Sequence, residues 1–407
     1  MAVTTERRAR AWADLPPDAM TQVLEQSQWI GWRQALDSVA GAGSPFARRL
    51  GNLGLGTWHM LLLAPRTARA LDVGCGYGSL SLGLAEYYRE AVGIEPLEQR
   101  VSFAALRARQ EGSPAAFLQG GGHDLPFEDG SFGLVTMNGV LEWAALFREG
   151  PPEALQVSML REARRVLRPD GHVAVAIENR FALETLLGLR DTHTGLHGVP
   201  ALPRAVADRV MRWRKGEPYR TYLYSRRGYE RLLHRAGYAH VRVLDLVSSY
   251  NDYDFIVDPR DAASYRFLYR HGLVSAFYPP AGRARGWLSH AAPRLLGEVS
   301  YAYLVIGSRG GPTALETGHH LWHALRGWGI EPGRYRFACR GARPNELAIV
   351  CHDGTHVRTL VELGDGIADA GRPSLLPERI HRRLTGGLAP WKTGRVFGTR
   401  CRVWRMP

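Results

Sequence analysis

The chain has 407 residues, of which 45% are hydrophobic and 22% charged. That composition fits a globular protein and excludes a disordered or fibrous one, and the length is too great for one ordinary core. The formal net charge is +13, but only Lys215 and Lys392 are lysines; the other 50 of the 52 basic residues are arginines spread along the chain, which argues against a nucleic-acid partner.

The first 18 residues are charged and precede no apolar core, and no window supplies the about 20 apolar residues of a membrane span. A cytoplasmic protein with no membrane association is the expectation. The cysteines Cys75, Cys339, Cys351 and Cys401 form no CxxC pair, so neither a disulfide framework nor a zinc site is expected.

Residues 1–68 read as an N-terminal helical cap. Pro16-Pro17-Asp18 can start a helix, Trp32, Leu36 and Val39 mark a second, and Leu50 to Leu63 a third. From Ala70 the pattern turns to alternating strands and helices: strand Ala70–Val73, helix Ser79–Arg89, strand Ala91–Ile94, helix Val101–Gln110, strands Ala116–Gln119 and Gly133–Met137. A helix ending at Pro169-Asp170-Gly171 and strand His172–Ile177 follow. Such an order predicts an α/β, doubly wound, mostly parallel sheet.

The rhythm breaks at 180–224, resumes with helix Arg226–Ala236 and strand His240–Leu246, breaks again at 248–298 and ends on strand Tyr301–Ile306. The two irregular stretches read as lid insertions in a domain covering 69–310. Residues 312–407 read as a small C-terminal α+β unit, with a helix near Glu316–Trp328 and strands Arg334–Cys339, Glu346–Cys351 and Val357–Val361.

The informative segment is Asp72-Val73-Gly74-Cys75-Gly76-Tyr77-Gly78, at the turn from the first strand into a helix. Glycines there let a ligand approach the backbone, and the helix start favours a polar or anionic group. Glu95 closes the second strand, where a carboxylate can accept both ribose hydroxyls. A dinucleotide site would want GxGxxG; this chain has GxGxG after an acid, which disfavours a nicotinamide-dependent dehydrogenase.

The GxGxG segment resembles motif I of class I S-adenosylmethionine (SAM)-dependent methyltransferases, and Glu95 resembles their ribose-binding acid. The block from His123 to Val135 (HDLPFEDGSFGLV) resembles the segment before their fourth strand, and Leu160 to Gly171 (LREARRVLRPDG) that before their fifth. The likeness is close over 68–180 and loose over 226–308. It implies a seven-stranded Rossmann-like sheet, SAM as cofactor, and cofactor contacts from Asp72, Gly74, Cys75, Gly76, Gly78 and Glu95. Gly121 stands where the family often places an adenine-binding acid, so Gly122, His123 or Asp124 would serve the adenine. Asn138 and Trp143, after the fourth strand, would line the methionine end.

For the acceptor the candidates are Glu142 after strand four, Glu178 after strand five, His193 and His197 in the first insertion (DTHTGLHG), and Tyr224. Each can position or deprotonate a nucleophile without touching adenosine. His319, His320 and His323 share a helix face but have no acidic partner at ligand spacing, so no metal is expected. The stretch from Glu178 through the Tyr-rich YRTYLYSRRGY resembles bacterial methyltransferases found beside glycan or secondary-metabolite genes. The expected acceptor is therefore an O or N nucleophile on a small polar metabolite, glycan or modified peptide. The alternative is a protein that binds SAM or its demethylated product without methyl transfer, or with unconventional SAM chemistry.

Overall fold

The computed structural model describes residues 15–52, 54–62, 65–146, 148–259, 262–274, 279–292, 295–311, 324–330, 335–340, 343, 345–353, 355–367, 373–376, 378–396 and 399–406. The three histidines at 319, 320 and 323, and the start of the helix expected near Glu316, lie outside these residues.

Three helices open the described chain: α1 (Pro17–Ile30), α2 (Trp32–Ala40) and α3 (Pro45–Gly51). Proline at the first turn of α1 and α3 suits positions whose N–H has no helical acceptor, and the Ser44 hydroxyl caps α3 by accepting the Ala47 N–H at 3.1 Å. The single helix expected over Leu50–Leu63 is instead the end of α3 and a separate 3-10 turn at Thr57–Leu61, because Asn52, Gly54 and Gly56 intervene.

Five parallel strands follow: β1 (Arg69–Val73), β2 (Glu90–Glu95), β3 (Ala116–Gln119), β4 (Phe132–Asn138) and β5 (Leu167–Glu178), in the order 3-2-1-4-5. Their crossovers are helices α4 (Ser79–Ala85), α5 (Glu98–Glu111) and α6 (Pro152–Val166). β1 and β4 are buried almost throughout, as a sheet covered on both faces requires. The N-terminal helices dock on the outside of this layer, burying Met20, Val23, Trp32 and Leu36 with Phe103 and Leu106 of α5. Arg107 is fully buried there, its guanidinium 4.4 Å from the Trp32 ring centroid and donating to the Ser79 hydroxyl at 2.9 Å.

Next come α7 (Arg204–Lys215), α8 (Arg226–Arg235), β6 (His240–Val247), β7 (Phe255–Val257), α9 (Ala262–Arg270), α10 (Pro279–Ala291) and β8 (Ala302–Ser308). β8 lies antiparallel between β5 and β6, completing the seven expected strands in the order 3-2-1-4-5-8-6.

The sheet does not stop at seven. β7 pairs antiparallel with β6 as an eighth strand, and through the pairing of Ile256 with Ala338 the C-terminal strands continue the same sheet. These are β9 (Tyr335–Arg340), β10 (Leu347–His352), β11 (Val357–Leu363), β12 (Lys392–Val396) and β13 (Thr399–Arg405), with helix α11 (Glu378–Thr385). Among the described residues the sheet has thirteen strands. β7 is three residues long, too short to show alternation inside a stretch that otherwise reads as irregular.

The insertions are pinned to the sheet and to each other. The buried Arg285 of α10 donates to Glu184 at 2.8 Å, joining the second insertion to the first. Arg226 donates to Asp245 at 2.7 Å and to the Gly297 carbonyl. Among the described residues no helix is long and apolar enough to cross a membrane.

Candidate active site

The carboxyl ends of β1, β2 and β4 open onto one cavity of about 250 Å³, the place where open α/β sheets receive ligands. Its wall contains Asp72, Gly74, Cys75, Gly76, Glu95, Gly122, His123, Asn138 and Trp143, nine of the eleven expected cofactor residues. Gly78 and Asp124 are not in it. Gly78 starts α4 with φ +83°, and a Cβ there would meet Phe117 at 2.8 Å, so it serves the turn and packing. The Asp124 side chain points to solvent and pairs with Arg148 at 3.0 Å.

The turn after β1 is tied to the end of β2. The Gly74 and Cys75 amides both donate to the Ile94 carbonyl, at 2.7 and 3.1 Å. Gly76 has φ +55°, and a Cβ added there meets nothing within 4 Å. Its N–H donates to Glu95 Oε2 at 3.1 Å, while Oε1 accepts the Leu97 N–H at 3.3 Å and faces Arg100 at 3.4 Å. Glu95 is thus a buried carboxylate fixed at the wall beside open space.

Asp72 is also buried, but its oxygens are engaged by hydroxyls: Ser81 donates to Oδ2 at 2.7 Å and Thr136 to Oδ1 at 2.9 Å. It joins β1, α4 and β4 below the cavity. Burial pushes its pKa up to about 6 against these bonds, with Glu95 adding to the rise. Burial likewise holds the Cys75 thiol well above its usual range, so Cys75 lines the wall as a neutral group.

Two polar atoms on the wall have no hydrogen-bond partner. His123 Nε2 is 2.8 Å from the Ala144 carbonyl, leaving Nδ1 buried and unpaired. Asn138 donates to Asn251 Oδ1 at 3.1 Å, leaving its own Oδ1 unpaired.

Arg49, Leu50 and Leu55 from the N-terminal segment and Asn251 from the second insertion close the cavity. Tyr253, also in that insertion, bonds the Thr57 hydroxyl and accepts the Trp58 N–H at 3.0 Å, which fastens this roof. None of these residues was singled out from the sequence for the cofactor site, since they lie far from the strand ends along the chain.

Behind Trp143 stands a second group. The Trp143 and His193 rings are 5.1 Å apart between centroids. His193 Nε2 lies 3.6 Å from Glu142 Oε1 and 3.9 Å from Glu178 Oε2, and Nδ1 is 2.8 Å from Asp191 Oδ1. All four side chains are buried. Both Glu142 oxygens, Glu178 Oε2 and His193 Nε2 lack a hydrogen-bond partner. Burial lifts the Glu178 carboxyl to about 7, with the Glu142 charge adding to the rise and His193 opposing it. Burial works against the His193 imidazolium, yet Glu178, Asp191 and Glu142 together raise it well above its ordinary value.

Three of the five expected acceptor-side residues therefore converge, from β4, β5 and the first insertion. The other two do not. His197 is exposed, with Nδ1 2.9 Å from the Gly188 carbonyl. The Tyr224 hydroxyl donates to Gln156 at 2.8 Å, away from the cluster. Nor does Arg180 pair with Glu178: it donates to the carbonyls of Pro200 and Leu202. Asp191 was missed, although its place two residues before His193 in a DTH turn is legible. Its Oδ2 accepts the Thr194 N–H at 2.9 Å and the Thr194 hydroxyl at 2.6 Å, which fixes the carboxylate that holds the imidazole.

Residues 71–175 match the family model described as a methyltransferase domain. That stretch resembles a methyltransferase domain. It is similar to an uncharacterized methyltransferase of Schizosaccharomyces pombe, 32% identical over 28% of this chain and 41% of the relative. It is also similar to the malonyl-[acyl-carrier protein] O-methyltransferase of Halorhodospira halophila, 39% identical over 30% of this chain and 38% of that protein. The chain thus spans about two fifths of the length of these curated relatives. Among solved structures, the YcgJ protein of Bacillus subtilis is 19% identical over 63% of this chain and 99% of its own, with a TM-score of 0.37. The matched residues run from within β1 into β5 and include the glycine turn, Glu95, Asn138 and Glu142.

Proposed function

We propose that the protein binds SAM in the cavity at the ends of β1, β2 and β4 and transfers its methyl group to an O or N nucleophile. The acceptor in this reading is a small polar metabolite, a glycan or a modified peptide. The observation that carries the proposal is the pairing of Glu95 with the Gly76 N–H beside open space. A carboxylate so placed suits the ribose hydroxyls, and the glycine backbone admits the methionine portion without steric cost. His123 Nδ1 and Asn138 Oδ1, both buried and unpaired, suit the adenine and the amino group of SAM.

Methyl transfer from a sulfonium needs alignment of nucleophile, methyl carbon and sulfur, and exclusion of water. The N-terminal segment and the second insertion roof the cavity and serve that exclusion. Glu142, Glu178 and His193 would act on the acceptor's side of Trp143, positioning it or receiving its proton. Binding of SAM without transfer needs only the cavity; the buried acidic cluster beside it is what favours catalysis over that alternative.

The test is calorimetric titration with SAM, its demethylated product and a nicotinamide dinucleotide. SAM and its product should bind with micromolar affinity and the dinucleotide should not. Gly76→Val, whose side chain would project into the open space, should lower SAM affinity by at least about a hundredfold while circular dichroism shows the fold retained. A folded Gly76→Val protein with unchanged SAM affinity sinks the assignment of the site.

A further inference from the structure

The cluster behind Trp143 holds more acceptor atoms than the protein supplies donors for. We propose that Glu142, Glu178 and His193 bind one divalent transition-metal ion, of the Mn2+, Fe2+ or Zn2+ class, with Asp191 orienting the imidazole. One ligand atom from each of the three lies within 4.8 Å of the others, and the two distances to His193 Nε2 are 3.6 and 3.9 Å. Ligands at about 2.1 Å from a shared ion stand roughly 3.0–3.5 Å apart, so small side-chain rotations close the site.

The independent sign of a ligand is the missing partners. Glu142 is 1% exposed, and neither of its oxygens is bonded; His193 Nε2 and Glu178 Oε2 are buried and unbonded as well. A buried carboxylate that lacks hydrogen-bond donors and only shares its counter-charge, here the one His193 imidazole, is costly. Elsewhere in the same domain buried carboxylates have donors or an arginine of their own: Asp72 two hydroxyls, Glu184 Arg285, and Asp245 Arg226 on Oδ1, with Oδ2 unbonded. At this one place three carboxylates surround a single imidazole, and a divalent cation supplies the charge that is lacking.

The donor set selects the ion. An imidazole nitrogen among two carboxylates suits Mn2+, Fe2+ or Zn2+ better than Ca2+, which takes oxygen alone. The contact from His193 Nδ1 to Asp191 is the carboxylate–histidine support that metal-binding imidazoles use to fix the tautomer. Three protein ligands leave positions open for water or for an acceptor oxygen, whose acidity the ion would raise. That role rests on the methyl-transfer reading; ion binding does not.

The experiment uses the full chain freed of metal by chelation. Co2+, followed by its visible absorption, and Mn2+, followed by calorimetry, should each bind at a stoichiometry of one with micromolar or tighter affinity, and Zn2+ should displace them while Ca2+ does not. Glu142→Gln, Glu178→Gln and His193→Gln should each weaken Co2+ by at least about thirtyfold, and Asp191→Asn by roughly 10- to 100-fold. Should those variants fail to fold, quenching of tryptophan emission by Co2+ provides the location: the quenched component should vanish in Trp143→Phe. The proposal is overturned if none of Co2+, Mn2+ and Zn2+ binds saturably, if the three ligand variants bind as the parent does, or if Trp143→Phe leaves the quenching intact. SAM titrated into the same samples separates the two readings. SAM binding without metal binding sinks the metal site alone; metal binding without SAM binding sinks the methyl-transfer reading alone.

Discussion

Two pairs of buried carboxylates sit within one domain and are treated in opposite ways. Asp72 and Glu95, at the ends of β1 and β2, meet hydroxyls and backbone N–H groups. Glu142 and Glu178, after β4 and β5, meet each other and an imidazole. The first pair is satisfied by the protein's own groups. The second pair shares one imidazole, and three of its four oxygens are unbonded. Buried polar groups are bonded in nearly all folded proteins, so unsatisfied ones are where function is to be sought.

This contrast can be broken most directly through turnover. Glu142→Gln keeps the shape of the cluster and removes one charge. The expected result is a loss of methyl-transfer rate of about 10²–10⁴-fold, the range for removing an acid–base group, with SAM affinity within roughly threefold of the parent. A variant that lost SAM affinity in proportion to turnover would place Glu142 on the cofactor's side of Trp143 and erase the distinction. The measurements are single-turnover kinetics with an active acceptor and calorimetry with SAM.

A smaller effect is expected from the satisfied pair. Glu95→Ala removes one buried, charge-assisted partner, worth about 1.5–3 kcal/mol. SAM affinity should therefore fall roughly 10- to 150-fold, and the rate at saturating SAM should change little. If the rate at saturation fell as far as in Glu142→Gln, the two pairs would not be separate in function.

The smallest effect concerns a buried imidazole that has no acidic ring around it. His352 is stacked on Phe267, 4.3 Å between centroids, and its Nε2 is 3.2 Å from the Ser264 hydroxyl. Burial pushes its pKa down to about 4, the opposite of His193. The unfolded chain takes the proton near pH 6.5, so this group's stabilisation is complete above that pH and is lost as pH falls towards 4. The loss amounts to about 3 kcal/mol at most. Denaturant unfolding from pH 7 to pH 4 measures it, and His352→Gln should flatten the profile by that amount. An unchanged profile would show that burial does not govern His352.

What could be read from the sequence divides along the same line. Glycines 74, 76 and 78 and Glu95 are legible because a turn and the strand beside it impose fixed local spacing. Asn251 and Arg49 are not, since the chain reaches the cavity there only after folding back from the second insertion and the N-terminal helices. Glu142, Glu178 and His193 could each be named, but not as one cluster. Their meeting depends on β4 and β5 being neighbours and on the DTHTG turn closing over both strand ends. His197 and Tyr224 share the composition that made His193 a candidate, and only the backbone path separates them. In the C-terminal region neither β12 nor β13 reads as a strand from the sequence: β12 (KTGRV) holds lysine, glycine and arginine, and in β13 (TRCRVWR) arginines interrupt the apolar residues.

The thirteen-stranded sheet also bears on self-association. A strand that ends a sheet offers unpaired N–H and C=O groups to any other chain, and proteins blunt such ends with short, polar strands. Both ends here follow that rule: β3 has four residues, mostly exposed, and β12 is exposed along most of its length, with Lys392 and Arg395. β7 is different. Phe255, Ile256 and Val257 are all buried, and β9 occupies the flank that β6 leaves open. The C-terminal strands therefore act as a sleeve over an apolar edge. A chain ending at residue 311 would present that edge bare, with self-association as the consequence.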